Sequence, residues 1–255
     1  CKIRHHYLIS VSPPDGERTA LLMLLRSVTT ILSHSIMAFA LAIWLFWRLI
    51  TKGNFKSLIT AALSFAFAFN FKINSVFIPI ICGLYFLIIR FNTLVTDITG
   101  FIRDKSNRIV LVYFLLAPLL AILVWWPFWS DPLGKLLELP KFYSLNTYNM
   151  PVLLFGKIYR SGINIPPLYP YIYLGVTTPL PVLIPAVIGL IACFYFLVKK
   201  SFHFALIIIW FFVPLVRYLS PTTGAIDGVR HFMEVLYPLS AMAGIGWWII
   251  YRRIN

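Results

Sequence analysis

Long apolar runs separated by short cationic stretches occupy almost the whole chain. A helix needs about 20 mostly apolar residues to cross the ~30 Å hydrocarbon layer of a membrane. Runs of this kind predict spans at Val28–Leu49, Ile109–Trp126, Thr178–Val198, Phe204–Leu219 and Val235–Tyr251. Transmembrane strands would have to close into a barrel, and the alternating pattern of barrel strands is absent from the sequence. The pattern therefore predicts an all-α polytopic membrane protein.

The run Leu58–Ile89 is longer than one crossing and is interrupted near its middle. The interrupting residues are Asn70, Lys72 and Asn74. The pattern predicts two short helices joined at residues 71–73, which brings the total to about seven transmembrane helices. The alternative is one long tilted helix, which would reverse the topology on one side of the interruption.

Cationic residues test the two-helix interpretation, because short cytoplasmic loops are enriched in Lys and Arg. With two helices, eleven cations fall on one side, namely Arg48, Lys52, Lys56, Arg90, Arg103, Lys105, Arg108, Lys199, Lys200, Arg252 and Arg253. That side is predicted to be cytoplasmic. The long segment 128–177 and the loop 220–234 are then predicted to lie on the outer face.

Composition agrees with a membrane protein and argues against other classes. The chain is 60% hydrophobic and 12% charged, whereas soluble domains are roughly 45–50% apolar and about 25% charged. The excess of 22 Lys and Arg over 8 Asp and Glu would suggest nucleic acid for a soluble protein. In a membrane protein it indicates contact with anionic lipid headgroups, so we expect membrane lipid and no nucleic acid as a partner. Motifs for binding nucleotides are also absent, which argues against an ATP-driven pump.

The chain divides into a polar segment 1–27 and a transmembrane bundle 28–255. It begins with Cys1 rather than Met, and its first twenty residues are polar and charged. Segment 1–27 is therefore predicted to be the outer-side remnant of an N-terminal part that lies upstream. Its two acidic residues, Asp15 and Glu17, are expected in a turn. The three cysteines have no metal-binding spacing.

Lys72 is the first candidate for function on the outer face. A Lys at the centre of a bilayer costs about 2.5–3.5 kcal/mol on insertion scales, so such a residue usually faces a cavity or a partner. At a helix break, Lys72 would lie beside backbone groups that can bind an anion such as phosphate. The alternative is that its side chain extends to the membrane interface.

The loop 220–234 holds the second group of candidates, Asp227, Arg230 and His231. Asp227-Gly228 is typical of a turn. Arg230 offers a planar donor fork that suits phosphate or carboxylate, and His231 can donate, accept or transfer a proton. The alternative is an internal salt bridge, such as Asp227 with Arg230.

The third feature is the outer loop 128–177. Asp131 as a cap and Pro132 at the first helical position predict an amphipathic helix, Pro132–Tyr143, lying on the membrane. Loops of this length are uncommon without a function. Substrate access and packing over the bundle both remain open.

Several outer-face motifs occur in an order that resembles membrane glycosyltransferases of the GT-C fold, similar to the dolichyl-phosphate-mannose protein mannosyltransferases. The motifs are Phe71–Asn74, Trp126–Pro132, Pro151–Tyr159, Thr177–Pro181 and Asp227–Phe232. The resemblance extends over residues 50–250 and depends on the order and spacing of the motifs. It implies a GT-C-like helix bundle.

The resemblance also implies an enzyme of protein glycosylation or a related pathway. Such enzymes move a sugar, mannose or a similar hexose or pentose, from a polyprenyl-phosphate carrier to a protein, lipid or glycan acceptor on the non-cytoplasmic face. The membrane would be the plasma membrane of a prokaryote or the endoplasmic reticulum membrane. By this analogy Lys72 and Arg230 would hold the carrier phosphate, and His231 and Asp227 would orient Arg230 or the sugar. Asn74 belongs to the same expected substrate-binding set.

The sequence departs from this family in two places. The family's catalytic acid lies in a first outer loop, which would precede Cys1, so we expect this stretch alone to be inactive. Relatives also tend to carry a His in the segment written here as Ser144–Thr147. No residue is assigned to a metal; the sequence does not indicate a divalent metal, but the alternative stays open because the first outer loop could supply ligands.

Two other classes of function fit the same features. A transporter or flippase for a lipid-linked or anionic substrate would use the same bundle, the basic outer residues and the broken helix. The chain has one broken segment and no internal repeat, which favours the transferase. A structural or assembly subunit would need only the packing alternatives given above.

Overall fold

The structure is a computed structural model that describes residues 15–125, 129–135, 137–138, 148–220, 223–225 and 228–254, with side chains from residue 34 onward. In chain order its helices are α1 (Asp15–Lys52), α2 (Phe55–Phe71), α3 (Phe77–Thr96), α4 (Ile98–Arg103), α5 (Lys105–Val124), α6 (Tyr169–Thr177), α7 (Leu180–Val198), α8 (His203–Val216) and α9 (Leu236–Ile254). Short 3-10 turns occupy Ile73–Val76, Arg217–Leu219 and Gly228–Val235. The prediction of a helical membrane protein is confirmed.

Five segments of the described chain are long and apolar enough to cross a membrane, namely His34–Lys52, Ile73–Thr96, Lys105–Val124, Leu180–Val198 and Gly228–Ile254. The two other predicted crossings correspond to shorter apolar helices, Phe55–Phe71 and His203–Leu219. Every predicted span thus has a helix. The total of seven crossings stays a prediction, because two helices are short for the purpose.

Helix α1 begins earlier than the hydrophobic pattern predicts. It starts at Asp15, well before Val28, and so takes in part of the segment 1–27. Asp15 and Glu17 therefore lie in its first turn and not in a separate turn.

The chain reverses direction at Lys72. Helix α2 ends at Phe71, Lys72 is extended with φ −152° and ψ 125°, and a 3-10 turn leads into α3. Helix α2 starts directly after α1, so the start of α2 lies near the end of α1. The C-terminal half of α3 also lies near the end of α1, because the two line one common cleft. Helices α2 and α3 therefore run in opposite directions, and the interrupted run is not one tilted helix.

One end of the bundle collects cationic residues from several connections. The ends of α1 and α3 and the α7–α8 connection meet in the common cleft. Gly53, just after α1, approaches the start of α5 so closely that an added Cβ would lie 2.6 Å from Ser106 Oγ. We call this the cation-rich end; its cations are Arg48, Lys52, Lys56, Arg90, Arg103, Lys105, Arg108, Lys199 and Lys200.

Helices α7 and α9 pack antiparallel, which corrects the predicted position of Arg252 and Arg253. Gly189 lies against the backbone of Met242, and Gly246 lies against the backbone of Pro185. Trp247 Nε1 donates to Pro181 O at 3.1 Å. The C-terminal ends of the two helices are therefore at opposite ends of the pair, and the prediction that Arg252 and Arg253 lie with Lys199 and Lys200 is wrong. The loop-charge rule uses only the number of cations in each loop. It takes no account of packing, and here Gly189 and Gly246 let the backbones of α7 and α9 approach closely.

Two apolar clusters fill the interior. The first is built by α1, α2, α3 and α5, with Phe46 and Tyr113 among its fully buried residues. The second is built by α6 to α9 and the turn Gly228–Val235, with Phe232 among its fully buried residues. The Lys72 break belongs to the first cluster and the turn Gly228–Val235 to the second, so the two polar segments meet where the clusters join.

The outer loop contains a β-hairpin that the all-α prediction did not include. Strands β1 (Pro151–Leu154) and β2 (Lys157–Arg160) pair antiparallel, with Leu153 opposite Ile158. Phe155 and Gly156 have φ of 49° and 75°, and two consecutive positive φ values are typical of the type I′ turn that matches strand twist. The missed signal is the two-residue Phe-Gly turn between the apolar Pro151–Leu154 and Lys157–Arg160, which has Ile158 and Tyr159 at its centre.

The predicted surface helix at Pro132 is described only at its start. Residues 132–135 and 137–138 are helical. Asp131 Oδ1 accepts the Gly134 N–H at 3.0 Å, which is the predicted capping bond. The part of Pro132–Tyr143 from 139 onward, and Ser144–Thr147, lie outside the described residues.

Candidate functional site at the α2–α3 break

The helix break at Lys72 is bound to the turn Gly228–Val235 through one carboxylate. Lys72 Nζ lies 3.4 Å from Glu234 Oε2 and donates to Arg230 O at 3.2 Å. Asn74 Nδ2 donates to Glu234 Oε1 at 2.8 Å and to His231 O at 3.0 Å. Both oxygens of Glu234 are thus held by two residues from a segment that precedes it by about 160 positions.

Burial makes this ion pair structurally important. Glu234 is 3% exposed and the Lys72 side chain is 24% exposed. A buried carboxylate is tolerated only when a cation and hydrogen-bond donors compensate for the lost water. Lys72 therefore turns toward Glu234, and the alternative in which it extends freely to the membrane interface does not hold.

Arg217 adds a second cation from the end of α8. Its Nη2 donates to Tyr218 Oη at 2.7 Å and also to His231 O. Its guanidinium lies 5.6 Å from the ring centroid of Phe77, at the start of α3, and 4.7 Å from that of Tyr218. The His231 carbonyl thus accepts from both Asn74 and Arg217, which joins three segments of the chain at one point.

The structure brings Lys72, Asn74, Arg230 and His231 together, and their predicted role in substrate binding stays a prediction. Arg230 and His231 contact the break through their main-chain oxygens. The Arg230 side chain is exposed and His231 is half-buried. Asp227, also predicted for the site, lies outside the described residues, so the Asp227–Arg230 salt bridge stays a prediction.

Sequence reasoning missed Arg217 and Glu234. Arg217 lies inside the predicted span Phe204–Leu219, and Glu234 directly precedes the predicted span Val235–Tyr251. The rule that singled out Lys72, namely that a charge beside apolar residues needs a partner, would have found both. It would not have paired Glu234 with Lys72.

A cleft of about 640 Å³ adjoins this cluster. Its walls are the start of the hairpin, helix α6 and the turn that follows Asp227, and the lining residues are Met150, Pro151, Val152, Leu153, Tyr169, Tyr173, Thr177, Gly228, Val229 and Arg230. Among the described residues that line it, Arg230 is the only charged one, so it places a cationic fork at a mainly apolar and aromatic cleft.

Two tyrosines fix the walls of the cleft. The Gly228 N–H donates to Tyr169 Oη at 3.1 Å, and Tyr173 Oη donates to Leu153 O at 2.8 Å. Gly228 has φ of +57°, and an added Cβ would meet the Tyr173 ring at 2.7 Å, so glycine is required there. Burial raises the pKa of the Tyr169 phenol, which keeps it neutral.

The cluster carries an excess of positive charge. Lys72, Arg217 and Arg230 are cationic, and Glu234 is the acidic residue among its described members. Arginine and lysine at this density are suited to phosphate or carboxylate groups. Within the described chain no group of three His, Cys, Asp or Glu side chains lies close enough to hold a metal ion.

Comparison of the chain with known protein families, with curated proteins and with solved structures finds no match.

Proposed function

We propose that the protein transfers a sugar from a polyprenyl-phosphate carrier to a protein, lipid or glycan acceptor. The observation that carries the proposal is that Lys72 binds the main-chain oxygen of Arg230 and Arg217 binds that of His231, while Arg230 itself lines the aromatic cleft. The cluster lies at the opposite end of α3 from the cation-rich end, where the loop-charge rule predicts the outer face. The order of the outer-face motifs supports the same reaction class.

The chemistry requires a site that stabilises a leaving phosphate. In the proposed reaction an acceptor hydroxyl attacks the anomeric carbon and loses its proton to a base. The bond from that carbon to the phosphate oxygen breaks, and the carrier phosphate leaves with the electron pair. Cationic donors fixed before the reaction stabilise the charge that develops on this oxygen. The family resemblance assigns the base to an acidic residue of the first outer loop.

Each cation has a different part in this proposal. Arg230, exposed at the cleft, binds the phosphate with its fork. Lys72 and Arg217 hold the main chain of Arg230 and His231 in place and add positive charge behind it. Glu234 is a positioning residue, since both its oxygens are bound by Lys72 and Asn74. The cleft volume of about 640 Å³ falls within the roughly 300–1,000 Å³ of ligand pockets.

The test measures transfer of labelled sugar from polyprenyl-phosphate donors in membranes that carry the protein expressed from its complete reading frame. Arg230→Gln should lower the transfer rate by roughly 100-fold, the typical cost of losing one charge-stabilising donor. Lys157→Gln is the matched control, because Lys157 is an exposed cation of β2 outside the cleft lining. It should keep the rate within about twofold, as surface substitutions usually do.

Two outcomes would contradict the proposal. Folded protein that transfers no sugar from any donor, beside an active related enzyme, would exclude the transferase. Flux of a lipid-linked or anionic substrate into sealed vesicles, without a covalent product, would favour the transporter or flippase instead.

A further inference from the structure

A second cleft, of about 570 Å³, opens at the cation-rich end of the bundle. It lies between the last turns of α1, the C-terminal half of α3 and the α7–α8 connection. Arg90, Lys199 and Lys200 bring cationic side chains to it, and His203 adds a titratable one. Hydroxyl groups come from Thr51, Tyr85 and Ser201, and no carboxylate is found among the described residues that line the cleft.

The cations of this cleft are not neutralised by the described part of the protein. The ion pairs among the described residues are Lys72–Glu234 and Lys135–Glu138, and neither includes a residue of the cleft. Arg90 Nε is buried and has no hydrogen-bond partner among the residues with described side chains. Leaving a buried, charged donor unpaired costs free energy, and an anion in the cleft would remove that cost.

The α7–α8 connection holds its part of the cleft in a defined turn. Lys200 has φ of +64°, and its N–H donates to Leu197 O at 2.9 Å. The Ser201 N–H donates to Phe196 O at 3.0 Å, which closes the C-terminal end of α7. Lys199, Lys200 and Ser201 therefore project from an ordered turn.

An apolar groove of about 340 Å³ continues from the cleft along α3. Cleft and groove share Ile89 and Phe202. The groove is further lined by Leu84, Leu87 and Phe91, which are 41%, 45% and 59% exposed. A free anion would make no favourable contact with this apolar groove. A phospholipid would, because it carries hydrocarbon chains close to its phosphate.

We propose that this end of the protein binds an anionic phospholipid. The phosphate lies against Arg90, Lys199 and Lys200, and an acyl chain lies along Leu84, Leu87 and Phe91. The loop-charge rule assigns the cation-rich end to the cytoplasmic leaflet, which holds the anionic lipids. The site is separate from the α2–α3 break and does not depend on the proposed function.

The first experiment compares binding of phosphatidylglycerol and phosphatidylcholine to the intact protein in neutral detergent. The triple variant Arg90→Gln, Lys199→Gln, Lys200→Gln removes the cations of the cleft. The control Arg103→Gln, Lys105→Gln, Arg108→Gln removes the same charge from exposed positions at the same end, outside the cleft. Both are checked for folding by their thermal unfolding.

Unmodified protein should bind phosphatidylglycerol at least roughly tenfold more tightly than phosphatidylcholine, given the contribution of each cation near a lipid headgroup. The cleft variant should lose this preference, and the control should keep it within about twofold. Equal binding of the two lipids, or an equal loss in both triple variants, would overturn the proposal, since it would reduce the effect to general charge attraction.

A second experiment separates a lipid from a free phosphate as the ligand. Leu84→Ser with Leu87→Ser makes the groove polar and should weaken phosphatidylglycerol binding, while inorganic phosphate should compete only poorly. Full competition by inorganic phosphate, with no effect of the groove substitutions, would identify a free anion site and overturn the lipid assignment. Arg90→Lys keeps the charge and should retain part of the lipid preference, which guards against loss of folding in the triple variant.

Discussion

Removing Lys72 should expose how strongly the buried carboxylate of Glu234 depends on it. Lys72→Met keeps an unbranched apolar stem and deletes the ammonium that lies 3.4 Å from Glu234 Oε2. Glu234 is 3% exposed, so water cannot easily take the place of the lost partner. Asn74 still donates to Glu234 Oε1 at 2.8 Å and softens the effect.

The magnitude follows from the burial of the two side chains. Breaking a buried ion pair by removing one partner typically costs about 3–5 kcal/mol. With Asn74 in place and Lys72 partly exposed, we expect about 2–3 kcal/mol for Lys72→Met. Glu234→Gln should cost about 1–2 kcal/mol, because the amide oxygen still accepts from Asn74. The double variant contains no buried charge, so its cost should fall below the sum of the two by about 1–3 kcal/mol.

The assay is the free energy of unfolding of the four proteins of this double-mutant cycle in detergent. The exposed pair Lys135–Glu138, at 3.9 Å, is the matched control. Its cycle, Lys135→Met with Glu138→Gln, should give a coupling of roughly 0–1 kcal/mol, as for surface pairs in general. If the Lys72 and Glu234 effects add within about 0.5 kcal/mol, or the control pair couples as strongly, the interpretation of Glu234 as a buried, compensated charge is refuted.

Two further predictions concern packing and capping. Gly246→Ala places a Cβ against the Pro185 backbone, so it should destabilise the protein by about 1–3 kcal/mol. Gly244→Ala is the control, because no heavy atom lies within 4 Å of the added Cβ. It should be neutral or stabilise the protein by up to about 1 kcal/mol. Equal effects of the two substitutions in the same unfolding assay would contradict the close approach of α7 and α9. The hydrogen bond from the Gly100 N–H, followed by that from the Thr99 hydroxyl, lowers the pKa of Asp97. The ionised Asp97 therefore stabilises the fold above its unfolded-state pKa, and this contribution is lost as pH falls through the lowered pKa of the folded state. Asp97→Asn should reduce the loss of stability on acidification. An unchanged dependence of stability on acid pH would count against the cap.

Properties that depend on neighbouring residues could be predicted from the sequence. The apolar runs and the polar interruption at Asn70, Lys72 and Asn74 predicted the helices and the reversal between α2 and α3. Hydropathy and helix breaking act over one or two turns, so they can be determined from local sequence. For the same reason the capping bond of Asp131 could be predicted from its spacing to the next residues.

The candidate site was predicted only in part, because its contacts join distant segments. The charge rule singled out Lys72 and the loop composition singled out Arg230 and His231. The carboxylate that binds Lys72 comes from Glu234, and the second cation, Arg217, comes from the end of α8. Which of several charges becomes the partner of Lys72 depends on how the two apolar clusters pack.

The direction of α9 was likewise decided by tertiary packing. Counting Lys and Arg placed Arg252 and Arg253 with Lys199 and Lys200, whereas the facing glycines set α9 antiparallel to α7. Close helix contact depends on the shape of both surfaces at once. The sequence by itself determined where helices form and where they break. Only the tertiary structure decided which helix faces and which charged residues come into contact, because these contacts join surfaces from distant parts of the chain.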